Sequence, residues 1–112
     1  MQLLLIVLNK VEKLDELLEK LIEVGVSGAT ILNSTGMVRQ LAKHSEDYPI
    51  FGTLSFLIDL DHEESKTIFM ALKNEQVETV KEVVKQVVGD ISQPDTAVLF
   101  TLPILSLEGV DF

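Results

Sequence analysis

The sequence predicts an α+β domain in which a four-stranded antiparallel sheet carries two helices on one face. Three observations predict it. Residues 3–8 and 68–72 are uninterrupted apolar runs, and each is followed by a helical pattern of apolar residues. The two patterns are copies in spacing: adding 66 to Val11, Leu14, Leu17, Leu18, Leu21 and Ile22 gives Val77, Val80, Val83, Val84, Val87 and Val88. A further strand candidate follows each helix. The order is therefore strand–helix–strand used twice, the βαββαβ arrangement known as ferredoxin-like.

Residues 3–8 are apolar at every position and read as a strand buried on both faces. Asn9, with Glu12 three residues on, has the spacing of a capping box. The helix it opens stops at Gly25. Residues 28–35 mix Ala29, Ile31 and Leu32 with polar neighbours and predict a half-exposed strand. Residues 68–72 predict the second buried strand, with Asn74 as the cap and Gly89 as the stop of the following helix. Valine is a poor intrinsic helix former, so this helix depends on packing. Residues 97–102, after a turn containing Pro94, predict the last strand. In this topology the first and third strands are central and the second lies at an edge, in agreement with their compositions. Helices cover only one face. Central strands apolar on both faces therefore need cover on the other, and further copies of the same chain supply it most economically.

The chain has 112 residues, enough for a single domain, 1–112, with its own core. The absence of cysteine excludes a disulfide scaffold, a thiolate metal site and a Cys nucleophile. Nine basic against 18 acidic residues give a net charge of −9, and Arg39 is the only arginine. Such a chain repels nucleic acid and anionic lipid, and no nucleic-acid partner is expected. The longest apolar run, 3–8, falls far short of the ~20 residues that span a bilayer. No basic segment precedes it, as a signal peptide would require, so the expected location is the cytoplasm, without membrane insertion.

Residues 37–65 do not fit the repeated unit. They open with a weak helical pattern at 37–44 and continue through a turn to an apolar run holding Phe51, Leu54, Phe56 and Leu57. An acidic stretch follows at 59–64. A connection this long in a compact domain is usually functional or mobile. Its apolar run is expected either to fold back on the trimer as extra core or to serve as a docking surface or ligand lid. Asp59, Asp61 and Glu63 have the spacing of the first ligands of a calcium loop, but the sixth position is Glu64 and the twelfth is Met70, so no metal site is assigned. Neither His44 nor His62 is tied to a serine by any catalytic pattern. No catalytic residue is assigned, and the chain is read as a non-enzyme.

Three stretches resemble the nitrogen-regulatory PII signalling proteins. Gly28-Ala-Thr30 through Gly36-Met-Val-Arg-Gln40 is similar to that family's second strand and the G-x-G-R-Q start of its T-loop. Asn74 to Val80 is similar to the beginning of its second helix, and Phe100-Thr-Leu-Pro103 to its F-V-L-P. The resemblance implies a homotrimer that binds a small effector in clefts between subunits, with an adenine nucleotide as the candidate ligand. Many members also hold 2-oxoglutarate with magnesium at the T-loop root. It implies a T-loop, here 37–65, that docks on a protein target. By position it places Thr30, Gly36, Met37, Arg39, Gln40 and Gly89 at the ligand cleft. Thr30 would meet the adenine, and Gln40 the effector and metal.

At the phosphate end the sequence departs from that pattern. The family's glycine-rich B-loop is replaced by Gly89-Asp-Ile-Ser-Gln-Pro-Asp-Thr96. The B-loop lysine falls on Val98, and the two C-loop arginines fall on Gly109 and Asp111. A triphosphate needs cations and free N–H donors, so ATP is expected to bind weakly. The alternative reading is a structural trimer without a small ligand, similar in architecture to the ferredoxin-like copper-tolerance proteins.

Overall fold

A computed structural model of the chain describes residues 1–42 and 64–110. The expectations for Phe51, Leu54, Phe56 and Leu57, and for both histidines, lie outside the described residues. The elements are β1 (Gln2–Leu8), α1 (Leu14–Glu23), β2 (Thr30–Asn33), α2 (Met37–Ala42), β3 (Lys66–Leu72), α3 (Val77–Val88) and β4 (Ala97–Pro103). The sheet order is β2-β3-β1-β4, with every neighbouring pair antiparallel. This is the ferredoxin-like order that the duplicated pattern predicts, with β1 and β3 central.

The strand register sorts side chains onto two faces. Ile31, Ile68, Ile6 and Leu99 share one row, and Met70 and Leu4 share the next but one on the same face. Leu4, Ile6, Leu8, Ile68, Met70 and Leu72 are fully or almost fully buried under α1 and α3. Helix α3 contributes Val80, Val84 and Val88 at 1% exposure or less, so packing does supply what valine propensity lacks.

The helix termini depart from the sequence expectations. A 3₁₀ turn, Val11–Lys13, precedes α1, and its N-cap position is Lys10 rather than Asn9. The second 3₁₀ turn, Asn74–Gln76, has Lys73 at the N-cap rather than Asn74, and Gln76 Oε1 accepts the Lys73 N–H at 2.9 Å. Helix α1 ends in a Schellman turn. Gly25, at φ +92°, donates its N–H to Ile22 O at 3.0 Å, and Val26 donates to Leu21 O at 3.0 Å. This turn brings Val26 into the core beside Leu21, both almost fully buried. Ile22, the periodic equivalent of Val88, is left 71% exposed. At the end of α3 no such turn forms. Gly89 takes φ +85° and Val88 stays buried, its carbonyl capped by Lys10 Nζ at 3.0 Å.

Candidate functional site

Asn33, Lys66, Leu8 and Ala97 lie in one row across the sheet, which defines the end from which the 37–65 connection leaves. The base of that connection is held by hydroxyl groups. Ser34 donates its N–H to Ser65 O at 2.9 Å, extending the β2–β3 ladder by one pair. The Ser34 and Ser65 hydroxyls lie 2.8 Å apart, and Thr67 Oγ1 donates to Ser34 Oγ at 2.8 Å. Beyond them Thr35 donates to Glu64 Oε2 at 2.8 Å, and Lys66 Nζ donates to Asn33 Oδ1. Ser65 is buried, so its hydrogen bonds repay its desolvation. Nothing in the sequence flags this clasp, because its serines are 31 residues apart and only the strand register brings them together.

Gly36, Met37, Arg39 and Gln40 follow the clasp directly. Gly36 precedes α2, and its carbonyl accepts the Gln40 N–H at 2.9 Å. Met37 is 75% exposed, Gln40 is exposed and Arg39 is half-buried. Gly89 lies at the same end of the sheet but beside the opposite edge strand. Three strand spacings, about 14 Å, separate the two edges. Within one chain these predicted residues are therefore not brought together.

The turn at 89–96 is closed on itself. Asp90 Oδ1 accepts the Ser92 N–H at 2.9 Å and the Ser92 hydroxyl at 2.7 Å, and Asp90 O accepts the Gln93 N–H at 3.1 Å. The Ser92 hydroxyl, then its N–H, hold the Asp90 carboxyl below the usual carboxylate range. Thr96 O accepts the N–H groups of Asn9 and Lys10 at 3.0 and 3.2 Å. Two N–H donors that a phosphate loop would offer are thus already occupied, and Asp90 and Asp95 add negative charge. These residues do not fit a triphosphate.

Thr30 lies apart from the rest of the predicted set. It faces Phe69 at the far end of β2 and lines a cavity of about 560 Å³. Residues 25–30, residues 69–72 and three residues of the segment after β4 (Ile104, Leu107 and Val110) form its walls. Residues 28–35 were expected to form one strand, but the ladder begins only at Thr30. Gly28 and Ala29 diverge from β3 and leave this space. Apolar periodicity could not reveal it, since the gap depends on the turn after Gly25.

The sheet face away from the helices is the other prominent surface. Its rows read Leu32–Thr67–Val7–Val98, then Thr30–Phe69–Leu5–Phe100, then Ala71–Leu3–Leu102. All but two threonines are apolar, and none is charged. Val98, Phe100 and Leu102 are 46%, 50% and 46% exposed. The edge strand β2 is exposed at all four positions in the single chain, more than the half-exposed strand its sequence suggests.

Among the described residues no group of three His, Asp or Glu could hold a metal ion, and no helix is long and apolar enough to cross a membrane. No protein-family model matches this chain, and no curated protein matches it.

Proposed function

We propose that the chain is a PII-like regulatory protein that works as a homotrimer, binds a small effector between subunits and signals through the 37–65 connection to a protein target. The observation that carries this reading is the uncharged apolar sheet face. In a chain of net charge −9, the strand positions of a face on the order of 400 Å² carry no charged side chain. Identical copies packed face to face bury it without juxtaposing their negative charge.

Assembly also bears on these separated residues. Arg39 and Gln40 beside one edge strand and Gly89 beside the other can meet only across a subunit boundary. The effector is one without a triphosphate, since the 89–96 turn has neither the cations nor the free donors for it. A ligand held beside Arg39 and Gln40 touches the base of the connection, and it shifts the connection only by its differential affinity for two arrangements. The test is amide hydrogen exchange with and without the effector retained on purification. Exchange is expected to change in residues 41–65 and hardly at all in α1 and α3. Unchanged exchange throughout 41–65 would leave a structural trimer as the better description.

A further inference from the structure

We propose that the cavity between residues 25–30, residues 69–72 of β3 and the segment after β4 binds an uncharged, largely apolar small molecule. The inference goes beyond the sensor reading, because the cavity lies at the end of β2 away from Arg39 and Gln40. The binding itself is argued from the cavity.

The cavity exists because β2 is short. Its ladder with β3 pairs Thr30 with Phe69 and stops. Continued in register, Ala29, Gly28 and Ser27 would have opposed Met70, Ala71 and Leu72. The Schellman turn at Gly25 instead fixes residues 25–26 against the end of α1, and residues 27–29 stand away from β3. The third wall is also anchored. Ile104 donates its N–H to Met1 O at 3.2 Å, and Gly109 turns the segment at φ +84°. Backbone hydrogen bonds thus hold residues 25–26, β3 and Ile104, so the gap does not depend on one side chain's rotamer.

Its volume, about 560 Å³, is in the range of small-molecule sites. Among the described residues no charged one lines it, although the chain carries 18 acidic and 9 basic ones. An ion placed there would lose its hydration without gaining a partner. The apolar walls are Leu3, Phe69, Ile104 and Leu107, with Ala71 giving a shallow floor. Polar groups come from Ser27, Thr30 and Gln76. The edge of β3 beyond Phe69 adds backbone groups that β2 does not pair. This composition suits a neutral molecule with an apolar body and one or two hydrogen-bonding groups.

The test uses a matched pair of probes on the full chain: neutral N-phenyl-1-naphthylamine and its sulfonated counterpart, 8-anilinonaphthalene-1-sulfonate. The neutral probe is expected to bind one per chain and to shift the amide resonances of 25–30, 69–72 and 104–110. The sulfonate is expected to bind at least about tenfold more weakly. Leu107→Asp places a carboxylate in the wall and should weaken the neutral probe at least about tenfold. Gly28→Leu, which adds bulk to a lining position where an added Cβ meets no atom within 4 Å, should do the same. Circular dichroism checks that both variants stay folded. Equal affinity for the two probes, resonance shifts centred on Val98–Leu102 instead, or binding that neither folded variant weakens would overturn the proposal. Molar mass is measured on the same samples. Leu3, Thr30, Phe69 and Ala71 belong both to the cavity wall and to the open sheet face, so the cavity opens at the margin of the proposed interface. A trimer that takes no neutral probe overturns the cavity site and leaves the assembly reading, while probe binding to a monomer overturns the assembly reading alone.

Discussion

Phe100→Asp tests whether the open sheet face is an interface between copies. Phe100 sits in the middle row of that face, beside Leu5, and is 50% exposed in the single chain. A phenylalanine buries about 150–250 Å², so about 100 Å² remain to be covered on assembly. At about 25 cal/mol per Å² that is about 2.5 kcal/mol per chain, or roughly 7 kcal/mol for three. The carboxylate adds a desolvation cost in the same direction. A loss of roughly 7 kcal/mol weakens assembly by about five powers of ten, enough to abolish it at micromolar concentration. The isolated fold should lose only about 1 kcal/mol, because the site is a half-exposed edge position. Sedimentation velocity with circular dichroism reads both effects. The expected outcome is a helical, folded monomer where the unaltered chain is expected to form trimers, and Leu102→Asp should behave alike. A Phe100→Asp trimer of unchanged stability would refute the reasoning, for it would mean that this face is not buried between copies.

Three further predictions concern the 89–96 turn and its ligands. Gly89→Ala should destabilise the fold by about 1–3 kcal/mol in urea unfolding, because φ +85° with ψ −151° suits only glycine. Asp90, its pKa lowered by Ser92, should remain ionised in an acid titration followed by carboxyl NMR where an unpartnered aspartate is already half protonated. With a lowered folded pKa, its contribution to stability is present above the unfolded value and is lost as pH falls through the folded one. Ser92→Ala should return it towards the ordinary value, and an unchanged titration would contradict the hydrogen-bond assignment. ATP with magnesium should show a dissociation constant of about 100 μM or weaker by calorimetry, about −5 kcal/mol, and low-micromolar binding would contradict the account of the turn.

The fold was legible because its signals are local and redundant. Two apolar runs and a helical pattern repeated at 66 residues fix element type, and the polar composition of residues 28–35 fixes which strand lies at an edge. What local pattern missed depends on chain reversals. Ile22 fits the apolar stripe of α1, yet the Schellman turn at Gly25 sends Val26 into the core and leaves Ile22 in solvent. The same turn detaches residues 27–29 from β3 and opens the cavity. Asn9 and Asn74 have capping chemistry, but the first helical residues lie further on, with Lys10 and Lys73 at the N-cap positions. The site was legible only as a family resemblance in separate stretches. The register reunites Gly36, Met37, Arg39 and Gln40 beside the hydroxyl clasp, places Gly89 beside the opposite edge strand and leaves Thr30 in the cavity wall.

The central claim is that the chain is completed by its own copies across the uncharged sheet face, and the molar mass of the unaltered chain tests it most directly. Light scattering across low-micromolar concentrations should give a constant mass of three 12.4 kDa chains. A stable, monodisperse mass of one chain would contradict the account, since no interface between copies would then exist.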